Sequence, residues 1–299
     1  MAGAEAPPRA RRLRLDPEAR RGLSLVAPPA LYTVLMLAGP LAAVLAFSFF
    51  SQDYLTLDTT PTLENYREAV TEPIYRLLLI RSILIAGAVT AVTVILAFPI
   101  AYYVSFHVRP ERKSLWLFLI TLPFWTSYLI RVFLWKVILG FNGVLNPSLV
   151  GLGIVEEPVT AILYNANAVV ITLAHAFAPF AILPIFVALE KIDRSLLEAA
   201  RDLGESRATA FLRVTLPLAM PGVVAACLIV FIPTIGDYVT PRLVGGPDGA
   251  MIATMIQTQF LRLNNAPMGA ALAVVSMLAV GLVALLFVAL NRRYLRARG

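Results

Sequence analysis

Six apolar windows, each of about 20 residues, recur along this 299-residue chain and constrain its fold more than any other feature. A helix of that length crosses the hydrocarbon core of a bilayer, which is about 30 Å thick. Hydrophobic residues make up 59% of the chain and charged residues only 14%, a balance far from that of soluble domains. We therefore predict an all-α polytopic membrane protein with six transmembrane helices, at about 25–50, 79–106, 114–139, 166–189, 218–235 and 269–290.

The fifth window contains the strongest helix breakers. Pro221 opens it, Pro233 interrupts it and Gly236 closes it. Proline is tolerated in a spanning helix where neighbouring helices or water satisfy the freed backbone carbonyls. We therefore expect a break in this helix, facing protein or a cavity.

Basic residues are concentrated in alternate segments of the six-span arrangement. The intervening loops are poor in Lys and Arg and carry half of the 18 acidic residues. By the positive-inside rule, both termini are predicted to be cytoplasmic. The same dispersal argues against nucleic-acid binding, which would need basic residues clustered with aromatics on one face. The basic segments contain Arg9, Arg11, Arg12, Arg14, Arg20, Arg21, Arg109, Arg112, Lys113, Lys191, Arg194, Arg201, Arg207, Arg213, Arg292, Arg293, Arg296 and Arg298.

The chain divides into a short tail and one membrane domain. Residues 1–22 are rich in Arg, Ala and Pro without apolar periodicity, which predicts a cytoplasmic basic tail. Residues 23–299 form the predicted transmembrane domain, whose first apolar window is too long for a cleavable signal peptide. The single cysteine, Cys227, excludes a disulfide within the chain.

The loop at 190–217 has the pattern of two short helices. Ser195 and Glu198 match a capping box at the start of the first helix. Gly204 suits the left-handed position that ends a helix. Ser206 matches a cap for the second helix.

An apolar stripe follows the first of these helices. Leu196, Ala200 and Leu203 recur at helical spacing, while Pro217 predicts an end before the next span. Such a stripe suits a groove on another protein. The alternative is that the stripe packs against the base of the membrane domain itself.

The string Glu198-Ala199-Ala200, with Gly204 four residues on and Leu216-Pro217 further down, resembles the EAA loop of type I binding-protein-dependent ABC importer permeases. In that family the loop forms a coupling helix seated in a cleft of a separate ATPase subunit. The resemblance implies the six-helix type I permease fold, with an ATPase-coupling interface formed by Glu198, Ala199, Ala200, Leu203, Gly204, Leu216 and Pro217.

The resemblance also implies partners and a location. They are a dimer of ATPase subunits that binds ATP and Mg, a second homologous permease subunit, an external substrate-binding protein and the bacterial inner membrane. In the chain itself, no phosphate-binding loop, His-Glu-x-x-His helix or nucleophile elbow occurs. We therefore expect no catalytic residue, metal or cofactor in this chain.

Further strings suggest a substrate class. Residues 122–131, 197–204, 236–241 and 243–246 look like the spermidine/putrescine permease group. This similarity implies polyamine import by alternating access. Permeases for iron, sulfate or other small solutes share the architecture and remain alternatives, as does an ion-coupled carrier, which would need mid-membrane acidic residues.

Four residues are candidates for the substrate pathway. A carboxylate at Asp237 would attract ammonium groups, and the rings of Trp125 and Tyr238 would add cation–π attraction. Arg131 cannot attract a polycation, so we expect it to pair with an acid such as Asp237 or to extend toward the interface. The alternative for Trp125 is an interfacial aromatic.

Overall fold

The computed structural model describes residues 17–54 and 56–295. Most of the described chain is helical, because water is absent from a bilayer core and intra-helix hydrogen bonds satisfy the backbone there. The elements are α1 (Pro17–Phe47), β1 (Ser51–Asp53), β2 (Thr56–Asp58), α2 (Glu64–Thr71), α3 (Pro73–Phe106), α4 (Pro110–Thr121), α5 (Tyr128–Leu139), α6 (Leu145–Gly151), α7 (Ala166–Glu190), α8 (Ser195–Asp202), α9 (Arg207–Ala210), α10 (Leu216–Ile235), α11 (Ile252–Leu261), α12 (Ala266–Leu290) and α13 (Arg292–Leu295).

Shorter elements join these helices. β1 and β2 pair antiparallel, with Ser51 opposite Asp58. Single 3-10 turns lie at Leu122–Trp125 and Thr160–Ile162, and π turns lie at Phe211–Thr215 and Pro241–Gly245.

The described residues form two units, one up to Ala46 and one from Phe47 onward. The first unit holds all of α1 except its last residue, and this helix is apolar enough to span a bilayer from Arg21 to Phe47. The predicted tail lies partly outside the described residues, since 1–16 are not described, whereas 17–22 form the first turns of α1. Arg9, Arg11, Arg12, Arg14, Arg296 and Arg298 also lie outside the described residues.

The second, fourth and sixth windows are confirmed as the spanning helices α3, α7 and α12. In the fifth window the expected break is wrong, because one continuous helix runs from Arg207 through the π turn and α10 to Ile235. It passes through both Pro221 and Pro233. Packing against α3 and α7 holds α10 together despite the backbone hydrogen bonds that each proline removes.

The broken span is the third one. The helical segment that ends at Trp125 meets α5 at 85°, so α4 and α5 count as one span only if the bent pair crosses together. Thr126 and Ser127 are extended between them, with ψ of 146° and 136°. The prediction of a single helix at 114–139 is therefore wrong. Pro123, which cannot donate a backbone hydrogen bond, lies in the 3-10 turn just before the bend.

The core of the second unit forms where α3, α7 and α10 pack together. Small residues permit this close packing. A Cβ added to Gly222 of α10 would lie 2.5 Å from the Ala188 Cβ and 2.5 Å from the Pro184 carbonyl oxygen of α7. Glycine therefore lets α10 approach α7 closely, and this contact fixes the two helices that flank the loop at 190–217.

Candidate functional site

The segment between α7 and α10 folds as a helical hairpin, called here the α8–α9 hairpin (residues 191–215). The predicted capping box at its start is wrong, because Ser195 is already the first helical residue and its side chain does not cap the helix. Asp193 takes the capping role, since its Oδ1 accepts the Ser195 N–H at 3.0 Å. This hydrogen bond holds the pKa of Asp193 below its ordinary value.

The end of α8 confirms the sequence prediction for Gly204. Gly204 has φ +87°, the predicted left-handed conformation. Its N–H donates to the Arg201 carbonyl at 2.9 Å, and the Glu205 N–H donates to the Ala200 carbonyl at 3.1 Å. These two bonds form a Schellman motif, which satisfies the last carbonyls of α8 and turns the chain sharply.

The second helix of the hairpin begins at the predicted cap. The Ser206 hydroxyl oxygen accepts the Thr209 N–H at 3.2 Å, which confirms that prediction. Arg213 of the π turn then forms a 2.6 Å ion pair with Glu205, just after α8. This pair ties the return of the hairpin to its turn.

Pro217 does not end a helix, contrary to the sequence prediction. It lies in the first turn of α10, directly after the π turn. There the Leu216 N–H donates to the Phe211 carbonyl, five residues back. The helix therefore continues through this wider turn to Pro217, which has no backbone N–H to donate. Leu216 and Pro217 are half-buried at the root of the hairpin.

The outer surface of α8, called here the docking face, consists of Leu196, Glu198, Ala199 and Leu203. Leu203 is 86% exposed and Leu196 is 47% exposed. Ala200 is half-buried, and Leu197 turns inward to pack against the core. Among residues 17–54 and 56–295, the Glu198 carboxylate has no hydrogen-bond or ion-pair partner.

At the root of the hairpin, four residues form a cluster called here the basal clamp: Ser105, Lys113, Glu190 and Arg194. Glu190 Oε1 accepts from Lys113 Nζ at 2.6 Å and from the Ser105 hydroxyl at 2.7 Å. Arg194 Nη2 donates to the Ser105 carbonyl at 3.1 Å, and its guanidinium lies 5.7 Å from the Phe106 ring centroid. Sequence reasoning missed the clamp, and its only local signal is the charge of Glu190 at the end of an apolar window.

A second polar cluster surrounds Asp237, just after α10. Asp237 Oδ2 accepts the Tyr128 hydroxyl at 2.7 Å, and Oδ1 accepts the Val239 N–H at 2.9 Å. The Tyr128 oxygen also lies 2.7 Å from the Thr240 hydroxyl. Both carboxylate oxygens are therefore engaged, and Asp237 joins the start of α5 to the end of α10.

Arg131 lies beside this cluster. Among the described residues it forms no ion pair with Asp237. Its guanidinium lies 5.6 Å from the Phe124 ring centroid and 5.9 Å from that of Tyr128. Its Nε and Nη1 atoms are buried and have no hydrogen-bond partner. Tyr128, which the sequence did not single out, thus separates the two charges.

The two aromatic candidates are accessible. Trp125 is 76% exposed at the bend of the third span and packs edge to face on Phe118, with ring centroids 5.9 Å apart. Tyr238 is 41% exposed. No contact within the described part of the chain brings Trp125 to Asp237 or Tyr238. The same residues contain no group of three His, Cys, Asp or Glu side chains that could hold a metal ion.

The chain resembles characterised transport proteins over most of its length. Residues 92–296 match the family described as binding-protein-dependent transport system inner membrane component. The chain is 39% identical to the spermidine/putrescine transport system permease protein PotB of Haemophilus influenzae, over 79% of this chain and 82% of that protein. It is 35% identical to PotB of Escherichia coli, over 86% of this chain and 92% of that protein.

A solved structure has the same fold. It is a bacterial alginate ABC transporter in complex with an alginate pentasaccharide-bound periplasmic protein. The match has a TM-score of 0.69 at 16% identity and covers 93% of this chain and 96% of the other.

The Schellman motif gives a testable prediction for α8. Gly204→Ala forces an L side chain into a left-handed conformation, which costs about 1–2 kcal/mol. We expect amides in the last turn of α8 to exchange hydrogen about tenfold faster, measured by mass spectrometry of peptides spanning 196–210. Gly204→Asn should have a smaller effect, because Asn tolerates this conformation.

The matched control is Gly281→Ala in α12, where an added Cβ meets nothing within 4 Å. It should leave exchange in the hairpin unchanged. Equal exchange in the Gly204→Ala variant and the unchanged protein would contradict the role given to this turn.

Proposed function

Since the chain belongs to the family of binding-protein-dependent transport system inner membrane components, we propose that it is the permease subunit of an ATP-driven importer for polyamines. The observation that carries the proposal is the exposed docking face of α8, which presents the Glu198-Ala199-Ala200 string on a helix outside the spanning bundle. A separate ATPase subunit, one of a pair that binds ATP and Mg, would seat this helix in a cleft.

The chemistry of the docking face supports such a partner. Burying a leucine side chain stabilises a complex by about 1.5–3 kcal/mol, so the 86% exposure of Leu203 leaves much of that free energy to be gained on docking. Ala199 lets a groove approach the helix closely, and the unpartnered Glu198 carboxylate provides a charge for specificity. Leu216 and Pro217 would support the hairpin from its root.

The orientation follows from the charges near the hairpin. Lys113, Arg194, Arg201 and Arg213 lie in segments at the same end of the bundle, joined by the basal clamp and the hairpin. By the positive-inside rule this end is cytoplasmic, where ATP is available. The opposite end, with α2 and the β1–β2 pair, would receive a loaded substrate-binding protein, as supported by the periplasmic protein bound to the alginate transporter.

The substrate assignment rests on the similarity to the two PotB proteins. This chain would form half of the pathway, and a second, homologous permease subunit the other half. The exposed rings of Trp125 and Tyr238 suit cation–π contact with ammonium groups. Asp237 would act chiefly on the shape of the pathway, because its oxygens already hold Tyr128 and the turn after α10.

Transport would proceed by alternating access. ATP binding closes the two ATPase subunits, and the seated hairpins carry that motion into the bundle. This closure can open the pathway outward only if the inward-facing and outward-facing arrangements of the complex differ in affinity for ATP and for the binding protein. Hydrolysis then restores the inward-facing arrangement.

Glu198→Lys tests the docking face. A reversed charge in the ATPase cleft should lower co-purification of the ATPase at least tenfold, because an unmatched buried charge costs about 2 kcal/mol or more at an interface. Glu111→Lys is the control, since Glu111 is exposed at the start of α4 and carries the same charge. Full co-purification and transport in the Glu198→Lys complex would contradict the docking proposal.

The substrate class is tested with the assembled complex in liposomes. Spermidine or putrescine, added with the binding protein, should stimulate ATP hydrolysis at least about fivefold, a typical coupling between sites. Stimulation by sulfate or ferric iron instead would favour a permease for another small solute. Uptake that follows an ion gradient without the ATPase would support a secondary carrier.

A further inference from the structure

We propose that the basal clamp delivers the motion of the docked α8–α9 hairpin to α3 and α4, so that Ser105, Lys113, Glu190 and Arg194 are positioning residues for coupling. This inference rests on the proposed function, since it presupposes an ATPase on the docking face. It goes beyond that proposal in naming the residues through which the hairpin is attached to the spanning helices.

The clamp joins four elements at one point. Ser105 lies one residue before the end of α3, Lys113 in the first turn of α4, and Glu190 at the end of α7. Arg194 immediately precedes α8. The apolar core also joins these elements, since Leu197 of α8 packs against it, and the clamp adds the hydrogen bonds and the ion pair that they share. A displacement of α8 therefore reaches α3 and α4 through these polar contacts as well as through apolar packing.

The ion pair of the clamp is shielded enough to act as a firm link. The Lys113 side chain is 14% exposed and the Glu190 side chain 34% exposed, and Ser105 beneath them is buried. Charges that are partly withdrawn from water are screened less than surface pairs. Removing one partner leaves the other charge desolvated and uncompensated, so the pair resists separation.

Arg194 attaches the start of α8 to the end of α3. Carbonyls in the last turn of a helix have no intra-helix partner, and a cation is favoured there by the helix dipole. Arg194 donates to one of them, the Ser105 carbonyl, and its guanidinium lies over the Phe106 ring. Both contacts must move together when α8 moves.

The route beyond the clamp leads to the broken span. α4 is the first arm of that span, and α5 is its second arm after the 85° bend. At the start of α5, Tyr128 is hydrogen bonded to Asp237 at the far end of α10. A shift of α4 at Lys113 can therefore change the bend, where Trp125 is exposed, and reach the Asp237 cluster beside the exposed Tyr238.

The test separates coupling from assembly. In the complete complex in liposomes, Glu190→Gln and Lys113→Gln should retain ATPase co-purification and ATP hydrolysis. Their ratio of polyamine transported to ATP hydrolysed should fall on the order of tenfold, within the usual range of coupling between sites. The double variant should lose no more than either single variant, since both remove the same interaction.

Arg112→Gln is the matched control. It removes the same charge from the same turn of α4, and Arg112 is exposed without a side-chain contact among the described residues. Its transport ratio should stay within about twofold of the unchanged complex, as expected for an exposed site away from special contacts.

If the single variants fail to accumulate, the charge-swapped variant Lys113→Glu/Glu190→Lys still tests the ion pair. Recovery of the ratio by the swap supports a direct pair. A ratio that is unchanged in the single variants, or not restored in a swapped chain that accumulates normally, overturns the clamp alone. Absence of ATPase binding by the unchanged protein would overturn the proposed function itself.

Discussion

Backbone hydrogen bonding without water is the constraint on which the rest of this structure depends. Where the helices cross the bilayer, every amide and carbonyl must find its partner inside the protein. Five buried hydroxyls meet the same constraint, since those of Ser82, Thr90, Thr93, Thr234 and Ser276 each donate to the carbonyl four residues back. These five hydroxyls are thus satisfied within their own helices, and the packing of α3, α7 and α10 depends on small residues such as Gly222.

The two clusters of charged side chains consequently lie where helices end or bend. At one end, the Ser105 carbonyl of α3 accepts from Arg194 of the hairpin, and Glu190 is paired with Lys113 of α4. Toward the other end, Asp237 closes the turn after α10 and holds Tyr128. The broken third span runs between these two clusters. The exposed Trp125 lies at the bend of this span, between the basal clamp and the Asp237 cluster along the chain.

Sequence reasoning succeeded where the determinant is local. Hydropathy located five of the six windows as single helices, and Gly204 and Ser206 take their predicted cap positions because a turn depends on a few adjacent residues. It failed where partners are distant. The sequence predicted a break in α10, but the broken span is the third one. Packing against α3 and α7 keeps α10 continuous across its prolines. Asp193 displaced Ser195 as a cap, and the clamp joins residues 77 and 85 positions apart.

The central claim is that the docking face of α8 seats in a separate ATPase, and cysteine labelling of the detergent-solubilised complex tests it most directly. In a Cys227→Ser background, Leu203→Cys should react with a maleimide at least about tenfold more slowly when the ATPase is present, because a docked side chain loses access to the reagent. Tyr54→Cys is the control, since Tyr54 is equally exposed, at 86%, in the turn between β1 and β2. Equal labelling rates at position 203 with and without the ATPase would contradict the account.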